Sequence, residues 1–393
     1  MYDVIIIGAG PSGGIASKVL AENGRKVLVI EKKREVGVPV HCGEGLSRYA
    51  VESNGLKVDW NWVRLRVKGS RIFVPNEKHL TVPGDGFAID RHLFDKWLVD
   101  LAVERGAETM LSTNARGMLF KKDHWLVRTN KGEFKAKVVL AADGVSSAVP
   151  RWAGLQGVKE AIGGYQYKFK RDYVHKNMAY TFEGKNALSE EWFDFHYSTL
   201  YPQGYVWVFP RGDVYNIGIC GLSGYKKRLE EFLKKRGLDP KMAVGRNVGR
   251  IPRSGVLPCY VKNQVLVVGD SGGLTNPITK GGVHAALFSG RTAAEVVNNA
   301  FEKEDLNLLQ DYHKKIKDSM FASPTLMDYG KLIYQLTDEE ANMIGEIMNG
   351  RPISECSYLK AFKAALKNPG IFTRIGKFLK IKKALDISQI YGW

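Results

Sequence analysis

Tyr2-Asp3-Val4-Ile5-Ile6-Ile7-Gly8-Ala9-Gly10-Pro11-Ser12-Gly13-Gly14 is the stretch that decides the fold. Its apolar, β-branched run predicts a buried strand, and Ile15, Ala16, Val19 and Leu20 follow at the spacing of one helix face. Between them lies Gly8-x-Gly10-x-x-Gly13, the composition of a dinucleotide-binding turn. Gly8 permits the turn, Gly10 lets the backbone approach a pyrophosphate, and Gly13 lets helix and strand pack closely. The phosphates then face unpaired N–H groups at the helix N-terminus. A second apolar run, Val27 to Ile30, delivers Glu31, a carboxylate placed to accept hydrogen bonds from an adenosine ribose. The expected fold class is α/β, with a Rossmann-type dinucleotide-binding domain.

At 393 residues the chain exceeds one usual core, so two domains or one domain with a large insertion are expected. Its hydrophobic content of 44% is that of a globular protein. No run of about 18 apolar residues exists to span a bilayer, and a strand starting at residue 2 leaves no room for a cleaved leader. Cys42, Cys220, Cys259 and Cys356 are far apart, with no CxxC. That spacing argues against a metal site or a disulfide framework, and for a reducing cytoplasm. The 58 Lys and Arg exceed the 41 Asp and Glu by 17, an excess that favours an anionic membrane surface or a phosphorylated substrate. No nucleic-acid-binding signature accompanies the charge, so no nucleic acid partner is expected.

After Glu31 the chain enters a polar loop, Lys32 to Gly45, that holds His41, Cys42, Gly43, Glu44 and Gly45. Three glycines beside a cysteine, a histidine and an acid have the composition of a site, although a lone cysteine is also commonly an inert buried thiol. Residues 56 to 85 alternate apolar and polar, as in Val63, Leu65 and Val67, and predict antiparallel strands that break the βαβ rhythm. Asp90 is placed to cap a helix whose apolar face is Phe94, Trp97, Leu98 and Leu101. Arg91 in its first turn opposes the helix dipole, which a bound phosphate or carbonyl would explain as well as a solvated side chain does. The buried strand Val138 to Ala142 ends in a small-residue turn, Asp143 to Ser147, at the end of a strand where open α/β sheets bind ligands.

From about 160 to 260 the chain is strand-like and rich in aromatic residues. Alternation places Tyr205, Trp207 and Phe209 on one strand face, either as sheet core or as the wall of a long apolar pocket. Val265 to Val268 is a further apolar strand that delivers Asp270, a carboxylate suited to a ribitol or ribose hydroxyl. Gly281 and Gly282 then open a small-residue helix at Val283, whose N-terminus suits a partial negative charge.

Four separated features, the GxGxxG turn with Glu31, Arg91 in "R..FD.WL...A...GA", "AADG" at 141 to 144 and "VLVVGD...NP...GG" from 265, resemble the FAD-dependent p-hydroxybenzoate hydroxylase superfamily. Within it, "PVHCGEGLS" and "YPQGYVWVFP" resemble the geranylgeranyl reductase family, above all its archaeal digeranylgeranylglycerophospholipid reductases. The resemblance covers about residues 1 to 300. It implies FAD held by Gly8, Gly10, Gly13, Gly14, Glu31, Cys42, Gly43, Gly45, Arg91, Asp270, Gly281, Gly282 and Val283, with a backbone contact to adenine near Ala115. It also implies that Cys42 lies near the isoalloxazine and that Tyr205, Trp207 and Phe209 line an isoprenoid tunnel. Two residues depart from the pattern: His41 replaces an arginine, and Lys280 replaces a glycine, which puts a cation near the flavin.

The implied organisation is an FAD-binding domain in three parts (1–55, 86–158 and 262–300), an inserted antiparallel-sheet substrate domain in two (56–85 and 159–261), and a C-terminal helical region (301–393). The implied reaction is flavin-dependent saturation of isoprenoid C=C bonds in geranylgeranyl chains. Such an alkene needs a hydride and a proton together, in a site that excludes water. Cys42, modulated by His41 and Glu44, is the candidate to relay that proton or to orient the alkene. No second GxGxxG unit exists, so the expected reductant is external: ferredoxin, a reduced deazaflavin or NADPH. A flavin monooxygenase or halogenase of the same fold, and a flavin-bearing isoprenoid carrier without turnover, are the alternatives. Near the end, Ile371, Phe372, Ile375, Phe378 and Leu379 recur at helical spacing among Arg374, Lys377, Lys380, Lys382 and Lys383. That pattern fits a helix lying on anionic lipid at the membrane periphery, or a lysine face over an internally packed stripe.

Overall fold

The computed structural model describes residues 1–182, 185–186, 188–253, 255–355 and 375–391. The first third contains β1 (Tyr2–Ile7), α1 (Pro11–Glu22), β2 (Val27–Ile30), β3 (Gly45–Ser47), α2 (Arg48–Glu52), β4 (Val63–Phe73), β5 (His79–Ile89) and α3 (Arg91–Val103). It continues through β6 (Glu108–Met110), β7 (Ala115–Lys121), β8 (His124–Thr129), β9 (Gly132–Ala141) and α4 (Val149–Trp152). The middle holds β10 (Ala161–Lys170), α5 (Arg171–Asn177), β11 (Thr181–Phe182), β12 (Lys185–Asn186), β13 (Phe193–His196), β14 (Tyr205–Arg211), β15 (Val214–Gly221), α6 (Tyr225–Lys235) and β16 (Gly245–Pro252). Then come β17 (Val261–Lys262), β18 (Val265–Val267), α7 (Val283–Glu302), α8 (Asp311–Lys317), α9 (Pro324–Gly330), α10 (Asp338–Met348) and α11 (Ile375–Tyr391).

Two large sheets result. In the first, the order is β17-β18-β9-β1-β2-β6, with the β7–β8 hairpin attached along β9. Its β18, β9, β1, β2 and β6 run parallel, and Val4 to Ile7, Val27 to Ile30 and Val138 to Ala141 are almost wholly inaccessible. Such two-sided burial is what continuous Val/Ile/Leu runs specify. Helix α3 begins where expected, the Asp90 carboxylate accepting from the His92 and Leu93 N–H groups.

The second sheet has the order β16-β10-β15-β14-β13-β4-β5-β3. Its pairs are antiparallel except one: β13 runs parallel to β4, with Phe195 opposite Ile72. That pair joins the two stretches of chain, 63–89 and 161–252, that supply most of the sheet. Strand β3, Gly45–Ser47, also joins it and carries the glycine loop with it. On β14 the alternation is real. Val206 and Val208 pack in the core beneath α6, whereas Tyr205, Trp207 and Phe209 cluster with Phe193 and Phe195 on the opposite face.

Candidate active site

The glycine turn divides into packing and open positions. Gly8 has φ +108°, and a Cβ there would overlap the Ala142 carbonyl; one on Gly13 would overlap the Gly8 carbonyl oxygen. A Cβ on Gly14 would lie 2.8 Å from Leu98 Cβ of α3. Gly10 is different, because nothing lies within 4 Å of where its Cβ would stand. It is also the N-cap of α1, which has no side-chain cap. The turn therefore packs tightly on its inner side and offers free N–H groups beside open space on its outer side, which fits a pyrophosphate.

Glu31, 8% exposed, accepts from the Ala9 N–H on Oε2 and the Lys33 N–H on Oε1, both at 2.9 Å. Its own carbonyl accepts from the Thr113 N–H at 2.8 Å, so the segment leading into β7 at Ala115 lies against the Glu31 loop. Ala115 is thereby brought close to the Glu31 loop.

Between the ends of the parallel strands and the aromatic face of the second sheet runs a cleft of about 240 Å³. Gly10, Cys42, Gly43, Gly45, Arg91, Asp270, Gly281, Gly282 and Val283 line it, facing Tyr205, Trp207 and Phe209. Gly8, Gly13, Gly14, Glu31 and Ala115 lie outside that lining. Asp270 Oδ1 is 2.8 Å from where a Gly282 Cβ would stand, so its carboxylate sits beside the N-terminus of α7. Burial raises this carboxyl to about 6 against the opposing pull of Arg91. It is a strong acceptor in a poorly solvated place, suited to a flavin ribityl hydroxyl.

Arg91 forks onto Asp95 one turn along α3, Nε to Oδ1 and Nη2 to Oδ2, each at 2.9 Å. Burial disfavours its charge, but Asp95 and then the Cys42 side chain outweigh that and hold the guanidinium protonated. Cys42 Sγ also accepts from the Glu44 N–H at 3.2 Å. Glu44 itself, with φ +70° and 1% exposure, is committed to other partners: its carboxylate pairs with Lys168 at 2.7 Å and Arg211 at 3.3 Å. It is an anchor that holds the loop against the second sheet. His41 Nδ1 meets the Val248 carbonyl of β16 at 2.5 Å. Two partners expected to modulate Cys42 are thus engaged elsewhere, and Arg91 is the group that does face it.

Residues the sequence did not single out also line the cleft: Phe195, Arg250, Ile251, Thr275 and Thr279. Thr275 and Thr279 flank the "NP" of the fourth motif and were readable from it. Arg250 and Ile251 sit on edge strand β16, whose alternating polar pattern carries no such signal.

Beyond the aromatic wall is a larger apolar cavity of about 320 Å³, lined by Ile72, Leu80, Tyr197, Ile344, Met348 and side chains of α11. Phe378, Leu379, Ile381 and Leu385 of α11 face into it. Lys377 bonds the Gln335 carbonyl and Glu340, Lys382 pairs with Asp386, and Lys380 lies over the Tyr329 ring. The apolar stripe of this helix therefore closes a cavity. Ile371, Phe372, Arg374 and Cys356 lie outside the described residues. Among the described residues no helix is long and apolar enough to cross a membrane, and no His, Cys, Asp and Glu cluster could hold a metal.

A mainly parallel sheet with a glycine turn, an acid after the second strand and an aromatic-roofed cleft defines an FAD-dependent oxidoreductase. Residues 1–187 match the family model for an FAD binding domain. The chain is 33% identical over 373 residues to the digeranylgeranylglycerophospholipid reductase of Methanocaldococcus jannaschii, covering 89% of this chain and 92% of that one. It is 32% identical over 398 residues to the protein of that name from Thermoplasma volcanium, covering 92% and 95%. The crystal structure of a geranylgeranyl bacteriochlorophyll reductase-like protein from Thermoplasma acidophilum superposes with TM-score 0.80 at 28% identity, over 95% of this chain and 98% of that one. A flavin-dependent brominase, 18% identical with TM-score 0.67, shares the fold alone. The chain belongs to the digeranylgeranylglycerophospholipid reductase family.

Proposed function

We propose that this protein saturates isoprenoid C=C bonds in the geranylgeranyl chains of archaeal-type ether lipids or their precursors. The observation that carries this reading is an apolar space beside a flavin cleft. The 320 Å³ cavity has a mainly aliphatic and aromatic lining, with Ser198, Thr199, Gln203, Asp338 and Lys382 among it, and a narrow neck lies between it and the Tyr205–Trp207–Phe209 wall. A flexible hydrocarbon chain suits that space, and a small polar aromatic substrate does not.

Reduced FAD supplies the hydride in this chemistry. The chain's own residues do the rest. The glycine turn, Glu31 and Asp270 would hold the cofactor's phosphates and hydroxyls, and the N-terminus of α7 would favour the negative charge that reduced flavin carries. The aromatic wall keeps water from the reacting carbons. Cys42, held by the Glu44 N–H and facing Arg91, is positioned to pass a proton or orient the alkene. The division of labour follows the two sheets, cofactor on the first and substrate under the second. The excess of 17 positive charges supports contact with an anionic lipid surface and with an acidic external electron donor.

Anaerobic single turnover tests the reading. Holoenzyme reduced with dithionite is mixed with a digeranylgeranylglycerol lipid, and flavin reoxidation is followed with the lipid's mass. Gains in steps of two hydrogens matched to reoxidation are expected. Reoxidation only when oxygen is admitted would replace this reading with oxygenase or halogenase chemistry. Lipid binding without turnover under any reductant would leave a carrier. Cys42→Ser with full reduction and normal flavin occupancy would remove Cys42 from the mechanism.

A further inference from the structure

Three consecutive backbone carbonyls, those of Pro277, Ile278 and Thr279, are each capped by a side chain in the wall between cleft and cavity. Lys280 Nζ donates to the Pro277 carbonyl at 2.7 Å. Tyr197 donates to the Ile278 carbonyl at 3.1 Å, Tyr334 donates to the same oxygen, and Tyr205 donates to the Thr279 carbonyl. Tyr197 and Tyr334 line the apolar cavity, while Tyr205, Thr279 and Lys280 line the cleft. The loop and its tyrosines are therefore the partition between the two spaces.

The gap beside this partition is a neck of about 30 Å³, bounded by Phe195, Tyr197, Ile278 and Thr279. That is room for about two water molecules, too little for a branched five-carbon unit. From behind, Asn276 Oδ1 accepts from the Ile278 and Thr279 N–H groups, and its Nδ2 donates to Ser388 of α11. Lys280 is the member that crosses the partition. It lines the cleft, yet its ammonium lies 4.2 Å from the centroid of the Tyr334 ring on the cavity side. Its φ of +58° lies in the left-handed region that favours glycine.

We propose that Lys280 is a specificity-determining latch: its ammonium pins the Pro277–Thr279 loop against Tyr334, and an isoprenoid chain enters the cleft only when that ammonium leaves the Pro277 carbonyl. The proposal rests on the isoprenoid reading above. A latch between the stored chain and the flavin limits how far the chain advances, and so selects which double bonds are reduced.

Two variants separate charge from bulk. Lys280→Gly is at home at φ +58°, and Lys280→Met keeps the length and loses the charge. In oxidised holoenzyme, quenching of FAD fluorescence by a nitroxide-labelled alkyl chain reads access to the cleft without turnover, and lipid mass spectra read the pattern of saturation. Apparent affinity scales with the fraction of open molecules, so both variants are expected to bind the quencher roughly fivefold or more tightly and to shift the saturation pattern. Quenching and products equal to wild type in both variants would overturn the latch, as would a gain in Lys280→Gly alone, which traces to bulk. Stronger quenching in both variants, with no lipid reduced by any of the three proteins, would keep the latch and overturn the isoprenoid reading.

Discussion

Arg91 and Asp95 face one another across a single turn of α3 in a two-pronged ion pair, both contacts at 2.9 Å and both side chains largely withdrawn from water. The pair explains how an arginine is tolerated in the first turn of a helix, where the dipole disfavours it. It also fixes the guanidinium beside Cys42. Asp95→Asn removes the countercharge from a buried cation, so unfolding free energy falls by about 3–5 kcal/mol. FAD affinity falls with it, by roughly tenfold, because Arg91 loses its orientation. Urea titration and fluorescence titration of FAD measure the two effects.

Gly10 and Gly13 separate cofactor binding from folding. Gly10→Ala meets no protein atom, so the apoprotein's thermal midpoint stays within about 2 °C of wild type, while the added methyl crowds the pyrophosphate and lowers FAD affinity by about 100-fold or more. Gly13→Ala drives a methyl into the Gly8 carbonyl and costs several kcal/mol, of order 3, before any cofactor is added. Equal midpoints for the two variants would refute this division.

Asp270 links stability to pH. Its folded carboxyl is raised from 3.8 to about 6 by burial. The folded apoprotein thus holds a proton that the unfolded chain releases. Its stabilising contribution is complete below pH 3.8 and is lost as pH rises through 6. Asp270→Asn removes that dependence between pH 4 and 7 and raises apoprotein stability at pH 7 by on the order of 3 kcal/mol. The same change weakens FAD binding by roughly 10- to 100-fold, through loss of a charged acceptor. Thermal melts of apoprotein from pH 4 to 8 show the first effect, and a flavin titration shows the second.

Asp194 is a structural counterpart. Arg71 forks onto it with both contacts at 2.7 Å, and Tyr180 donates to it at 2.9 Å while meeting His196 Nε2 at 2.8 Å. Burial, then the Arg236 and Arg71 charges, push His196 well below its usual range, so it stays neutral and donates to Tyr180. Asp194→Asn is expected to cost about 3–5 kcal/mol and Tyr180→Phe about 1 kcal/mol, read as shifts of the urea midpoint at constant slope.

What the sequence made legible was local. The strand–turn–helix at 2–20, the Asp90 cap and the alternation at 205–209 depend on near neighbours, and each forms as its residues require. Glu44 was misleading for the opposite reason. An acid beside a cysteine has the composition of a catalytic pair, but its partners Lys168 and Arg211 come from strands more than a hundred positions away. The C-terminal stripe was legible as a stripe only, because helical periodicity does not reveal what a face covers. Lys280 was visible as an added cation, but the Pro277 carbonyl and the Tyr334 ring that hold it follow from the tertiary fold.

Joining β4 to β13 brings together segments such as Arg71 and Asp194, 123 residues apart, and closing a loop of that length costs about 4 kcal/mol in chain entropy before any pairing repays it. Until the seam forms, β4 and β13 are both open edges, able to pair with other chains. The pairing of β18 with β9 in the first sheet is non-local in the same way, because β18 follows the 161–252 excursion. Refolding from denaturant is therefore governed by a late, non-local event on a slow timescale, and aggregation competes with it through those two edges as protein concentration rises.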